Sequence, residues 1–243
     1  MILATVAIAV ASNGVTDFTP ISYATFKHGS HAFHVVTADL RSGQISAAMV
    51  HSPSLTSTWN LLGRLEAPES KPIAAITGTF FAPASQKPVA DVLVNGTLVA
   101  KGSRGTAVGV DWFGGVRIFD KPFLEAVDWG LYQWGLRGAI RVVSNGVVQP
   151  NPKAQKFRDA RLWGRAARTG LGTTKNGKVV LFATTAHITL TELGNAMKSR
   201  GVLDGVGLDG GSSTCMYYKG ALVVPPGRKL SNLFVITQRK AAP

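Results

Sequence analysis

Gly205-Val206-Gly207-Leu208-Asp209-Gly210-Gly211-Ser212-Ser213-Thr214 is the stretch on which the fold turns. Its first six residues satisfy G-x-G-x-x-G, the pattern of a dinucleotide-binding turn, which has to follow a strand and open a helix. Here the order is reversed. Upstream, Thr189-Leu190-Thr191-Glu192 forms a capping box, with Leu190, Leu193, Ala196 and Met197 recurring at helical spacing until Arg200-Gly201 closes the helix. Downstream, Met216–Tyr218 reads as a strand. The nucleotide reading is therefore rejected. Val206-Gly207-Leu208 is read as a buried strand that delivers the Asp209 carboxylate into a polar glycine turn. Gly210 and Gly211 free the backbone and leave room for a ligand, successive amides can hold an anion, and Ser212, Ser213 and Thr214 add hydroxyl donors.

Working outward, the chain is rich in short strand-like runs. Ala32–Ala38 and Ile45–Val50 flank Arg41-Ser42-Gly43-Gln44 in the manner of a hairpin, and Val92–Val94 and Leu98–Ala100 flank Asn95-Gly96, a strong hairpin signal. Asn145-Gly146 and Asn176-Gly177 repeat that device, a short helix is expected within Ser54–Arg64, and further strands are expected at Leu222–Val224 and Leu233–Ile236. Pro150 to Arg161 is a polar loop, long enough to suggest a functional role. The expected fold is α+β, a single domain over residues 15–238 with a twisted mixed β-sheet and few helices.

The chain of 243 residues has a net charge of +13, and the charge is uneven. Residues 1–150 hold 11 basic and 9 acidic groups, whereas residues 151–243 hold 15 and 4. That concentration draws anions to the C-terminal half. A nucleic-acid partner is not expected, because no basic helix or aromatic-interleaved stripe accompanies the charge. Cys215 is the only cysteine, which excludes an intrachain disulfide and a multi-cysteine metal site. The five histidines lack metal-ligand spacing, so no metal and no cofactor is expected. Ser212 lacks the G-x-S-x-G elbow of a serine esterase. The apolar opening run, residues 1–11, resembles the core and cleavage site of a secretory signal and predicts export, the alternative being a first strand. At this length it cannot span a bilayer, and no longer apolar run follows.

Six segments, in order, resemble the phosphodiester glycosidase family: Thr77-Gly78-Thr79-Phe80-Phe81, Arg168-Thr169-Gly170-Leu171-Gly172, Lys175-Asn176-Gly177-Lys178, Leu190-Thr191-Glu192-Leu193, the turn from Gly207 to Thr214, and Arg228-Lys229-Leu230-Ser231-Asn232. Thr77 and Gly207 stand where the family has Asn, and one glycine of the family's turn is absent. The resemblance implies a hydrolase that cuts between a sugar's anomeric carbon and a phosphodiester oxygen, with an anionic glycan or sugar phosphodiester as its partner. It implies a catalytic role for Asp209, at the developing oxocarbenium ion, and for Arg168, which with Arg228 surrounds the departing phosphate. Substrate contacts are expected from Ser212, Ser213, Thr169, Gly210, Gly211, Thr77, Gly78, Phe80, Phe81 and Ser231, with Asp91 as a second carboxylate. The competing expectation is a noncatalytic module of the same fold that binds cell-wall polymer or another polyanion.

Overall fold

In the computed structural model, which describes residues 20–65 and 71–239, the chain folds into sixteen strands and two short helices. The opening run at residues 1–11 lies outside the described residues. In chain order the strands are β1 (Ile21–His28), β2 (His31–Ala38), β3 (Ile45–Thr56), β4 (Lys71–Thr77), β5 (Val92–Val94), β6 (Thr97–Ala100), β7 (Thr106–Asp111) and β8 (Val116–Phe119). They continue with β9 (Tyr132–Ser144), β10 (Val147–Val148), β11 (Ala166–Thr174), β12 (Val179–Ile188), β13 (Val202–Leu208), β14 (Met216–Tyr218), β15 (Ala221–Val224) and β16 (Leu230–Gln238). The helices are α1 (Thr58–Leu62) and α2 (Leu190–Ser199).

An 11-stranded sheet runs β1-β2-β12-β11-β13-β9-β5-β6, with β10 and the β7–β8 ribbon also attached through β9. A 5-stranded sheet runs β15-β14-β4-β16-β3. The two pack face to face over one apolar core, where Val206 and Leu208 of β13 meet Met49, Ile76 and Phe234 of the smaller sheet. Helix α2 covers the outer face of the large sheet, packing Leu193 and Met197 against Val142 and Phe182. Helix α1 covers the outer face of the small one through Leu61 and Leu62. The single-domain, sheet-rich expectation with few helices holds. No helix among the described residues is long and apolar enough to cross a membrane.

Two expectations are corrected. Every ladder among the described residues is antiparallel, where a mixed sheet was expected. The helix after β12 does connect two strands that run the same way, but β11 lies between them and pairs with both, so no parallel ladder forms. Likewise, β2 and β3 do not form a hairpin. β2 pairs with β1 and β12, and β3 pairs with β16. Between them Asp39 caps a short 3-10 turn by accepting from Arg41 N, and Gly43 at φ +74° turns the chain into the second sheet. The Asn-Gly turns fare as expected: Asn95-Gly96 joins β5 to β6 with both residues at positive φ, and Asn145-Gly146 joins β9 to β10 in the same way.

The capping box of α2 is fully formed, with Thr189 Oγ1 accepting from Glu192 N and Glu192 Oε2 accepting from Thr189 N at 2.7 Å. Thr189→Ala removes one half of it and is expected to cost about 1 kcal/mol, lowering the melting midpoint by roughly 2–4 °C in a calorimetric scan. A shift below half a degree would show that tertiary packing alone holds the start of α2.

Candidate active site

Strand β13 alternates its residues between two layers. Val206 and Leu208 point into the inter-sheet core, while a Cβ at Gly205 would lie 2.7 Å from Met197 Cε and one at Gly207 3.2 Å from Leu190 Cδ2. These glycines let α2 settle onto the sheet. Past Leu208 the chain leaves the ladder, and Asp209 is delivered to the floor of a cleft of about 570 Å³. Gly210 presses against the neighbouring segment, where a Cβ would come within 2.7 Å of Ala167 O, and Gly211 takes φ +58° to open a short 3-10 turn over Gly211–Ser213. Both glycines are thus required by the turn itself.

Asp209 is only 4% exposed. Its Oδ2 accepts from Arg228 Nη2 at 3.1 Å, and Ser213 Oγ accepts from Arg228 Nε while serving the Asp209 carboxylate as a further partner. Burial pushes the Asp209 pKa up from 3.8 to about 6, against the opposing pull of Arg228, Ser213 and the Gly210 amide. The Arg228 guanidinium lies over the Phe81 ring at 4.4 Å, which fixes its approach.

Of the residues named from the sequence, Asp209, Arg168, Arg228, Ser212, Gly210, Gly211, Phe80 and Phe81 all line this one cleft. Their convergence from positions 80 to 228 joins four distant segments. Arg168 is placed differently from a free phosphate ligand. Its Nε donates to Ile188 O at 3.1 Å and its Nη2 to Leu162 O and Gly164 O, so it braces the loop ahead of β11. Burial lowers its pKa below the ordinary arginine value.

The remaining candidates lie outside the cleft lining. Thr77 Oγ1 donates to Ser213 O and so anchors the turn from behind. Gly78 holds the adjoining backbone, accepting from Asp209 N at 3.1 Å and donating to Asn232 O at 3.2 Å. Ser213 and Thr169 are fully buried, and Ser231 accepts from Asn232 Nδ2. Neither Thr77 nor Gly207, the two departures from the family's Asn, faces the cleft. Asp91 does not reach it: Oδ1 accepts from Gly102 N at 2.8 Å and Oδ2 from Trp129 Nε1 at 2.9 Å, making it a structural carboxylate.

Sequence reasoning missed much of the opposite wall. Arg104, Phe157, Arg158, Asp159, Arg161 and Arg165 also line the cleft. The polar loop from Pro150 to Arg161 carries four of them, so its length was the available signal. Asp159 is held by Arg161 at 2.5 Å, and that pairing keeps its pKa below the ordinary carboxylate value. Asn232, in the same segment as Arg228, was also unassigned. It clamps Thr79 from both sides, accepting from Thr79 N at 2.8 Å and donating to Thr79 O at 3.1 Å, and so sets the backbone that leads to Phe80.

No curated protein matches this chain. Among solved structures it is similar to the catalytic domain of zebrafish N-acetylglucosamine-1-phosphodiester alpha-N-acetylglucosaminidase, auto-inhibited by its pro-peptide. The two are 16% identical with a TM-score of 0.70, over 90% of this chain and 82% of that one. It is also similar to a hypothetical protein from Synechocystis, at 14% identity and a TM-score of 0.74, over 90% of this chain and 62% of that one. At such identities these two likenesses establish a shared fold. The family model for phosphodiester glycosidases adds the sequence side, matching residues 70–237, a span that includes Asp209, Arg228 and every other residue of the cleft. With the motifs in order, the fold shared and more than half the chain matched, this protein belongs to the phosphodiester glycosidase family.

Proposed function

We propose that this chain hydrolyses the bond between the anomeric carbon of a sugar and the oxygen of a phosphodiester, in the cleft floored by Asp209. The observation that carries the reading is the buried Asp209 carboxylate paired with Arg228, which opens into an arginine-lined concavity. A phosphate monoester is a weakly basic leaving group, so the demand on a general acid is small. What the reaction needs is negative charge beside the developing oxocarbenium ion and positive charge around the departing phosphate. Asp209 supplies the first. Arg228, held over Phe81 and bonded to Asp209, supplies the second from the same point. The anomeric C–O bond breaks, water oxygen adds to the anomeric carbon, and the phosphate monoester leaves with the water proton.

In this proposal Ser212 and the amides of Gly210 and Gly211 contact the substrate directly. Ser213, Thr77, Gly78, Thr169 and Ser231 act by holding the turn and its neighbours. Arg168 keeps the 162–164 loop in place. Phe80 packs edge-on against Phe157 at 5.7 Å and forms the apolar wall. The apolar run at residues 1–11 supports export as part of the same reading.

The test is sugar release from the methyl phosphodiester of N-acetylglucosamine 1-phosphate, followed as reducing sugar and phosphate monoester. Tight binding of a teichoic-acid-like polymer without any sugar release would favour the noncatalytic alternative. Arg228→Ala separates the roles further. It removes the cation that pulls the Asp209 pKa down, so the acid limb of the kcat/KM profile is expected to move above pH 6, with turnover falling about 100-fold. An unmoved acid limb would show that Arg228 does not tune Asp209.

A further inference from the structure

Six arginines line the cleft and no lysine does. Three are matched by carboxylates: Arg228 by Asp209 at 3.1 Å, Arg161 by Asp159 at 2.5 Å and Arg165 by Glu192 at 2.8 Å. Arg104, Arg158 and Arg168 have no carboxylate partner among the described residues. Arg168 spends its Nε and one Nη on carbonyl oxygens, but its charge remains. Arg104 is placed more suggestively. Its guanidinium stacks over Phe157 at 5.9 Å, and its Nε is buried without a hydrogen-bond partner among the described residues. A buried guanidinium nitrogen without an acceptor is costly, and an anion that reaches it relieves the cost.

A single phosphodiester carries one negative charge, which the Arg228 side of the cleft can meet. Arg104, with its open donor, and Arg158 are both of the residue type that grips phosphate oxygens in pairs and call for more, with Arg168 adding only its charge. Resting on the hydrolytic reading above, we infer that the preferred substrate is a sugar joined through its anomeric carbon to a diphosphate diester, with Arg104 and Arg158 holding the distal phosphate. The bond broken is unchanged: water oxygen adds to the anomeric carbon, and the diphosphate leaves as its monoester with the water proton. The cleft's volume lies within the range of sites that enclose a ligand of this kind.

The experiment has two arms in metal-free buffer at fixed ionic strength, using the wild-type chain and the Arg104→Gln/Arg158→Gln double variant. The first compares kcat/KM for N-acetylglucosamine 1-(methyl phosphate) and for the corresponding 1-(methyl diphosphate). The second measures binding of inorganic phosphate and inorganic pyrophosphate by calorimetry. The wild type is expected to prefer the diphosphate by at least about ten-fold in both arms, one well-placed charge-assisted contact being worth about that factor. The double variant is expected to lose most of that preference. Equal values for the two ligands in the wild type, or a ten-fold preference that survives in the double variant, would overturn the inference. Pyrophosphate preference without release of sugar from either ester would support the diphosphate ligand and overturn the hydrolytic reading. Hydrolysis without the preference would do the reverse.

Discussion

Replacing Asp209 with Asn is expected to cut sugar release about a thousand-fold while raising the melting midpoint at pH 8. The rate term follows from removing the negative charge paired with Arg228 on the cleft floor. The stability term follows from linkage. Burial raises the Asp209 pKa from 3.8 to about 6, so the folded state binds this proton more tightly than the unfolded chain does. The stabilisation from that proton is fully present below pH 4 and is lost as pH rises through 6. Above that, the ionised carboxylate costs the fold roughly 3 kcal/mol. Asn keeps the shape without the charge. The variant should therefore melt roughly 5–10 °C higher than wild type at pH 8, with the gap closing towards pH 4. Wild-type activity should fall as pH drops below about 6, as the carboxylate takes up its proton. A variant that melts several degrees lower at pH 8, or that retains activity within a few-fold, would remove Asp209 from the centre of the account.

The second large effect lies away from the chemistry. Arg137 in β9 is 1% exposed and donates to four carbonyl oxygens: Gly105, Glu125, Lys121 and Pro122. Its backbone amide donates to Asp91 O, the same residue whose carboxylate caps Gly102 and Trp129. The guanidinium thus gathers the 121–125 segment and the approach to Arg104 around one buried charge, and burial lowers its pKa from the ordinary arginine value. Arg137→Met fills similar space but leaves these carbonyls without their donor. A loss of about 3–5 kcal/mol is expected in urea unfolding, because each orphaned polar group retains its desolvation cost. A loss below 1 kcal/mol would show that water or backbone shifts satisfy the carbonyls, and that Arg137 is not what holds the segment.

The parts of this fold that were legible in the sequence are those set by local chemistry. The Thr189–Glu192 capping box, the positive-φ Asn-Gly turns and the strand that leads into Asp209 need only a few neighbouring residues to declare themselves. Strand partnership was not legible, since β2 and β3 are adjacent in sequence and belong to different sheets for reasons that lie in β12 and β16. The same limit applied to side-chain roles. Asp91 sits near a family-like segment, yet the Trp129 indole that claims it comes from 38 residues away. Arg168 reads as a phosphate ligand until Ile188, Leu162 and Gly164 are seen to accept its donors. Thr77 and Gly207 stand where the family has Asn, yet one faces the back of the turn and the other faces α2. The arginines of the 157–165 loop left no periodicity to read, because a loop takes its place from contacts at both its ends.

The central claim is that this cleft cuts on the sugar side of the phosphate, and one isotope measurement addresses it. A sugar 1-phosphodiester is hydrolysed in oxygen-18-labelled water, and the released phosphate monoester is weighed by mass spectrometry. Attack at the anomeric carbon predicts a phosphate monoester without the label, formed about a thousand-fold more slowly by Asp209→Asn than by wild type. Labelled phosphate would place the cut at phosphorus and contradict the account.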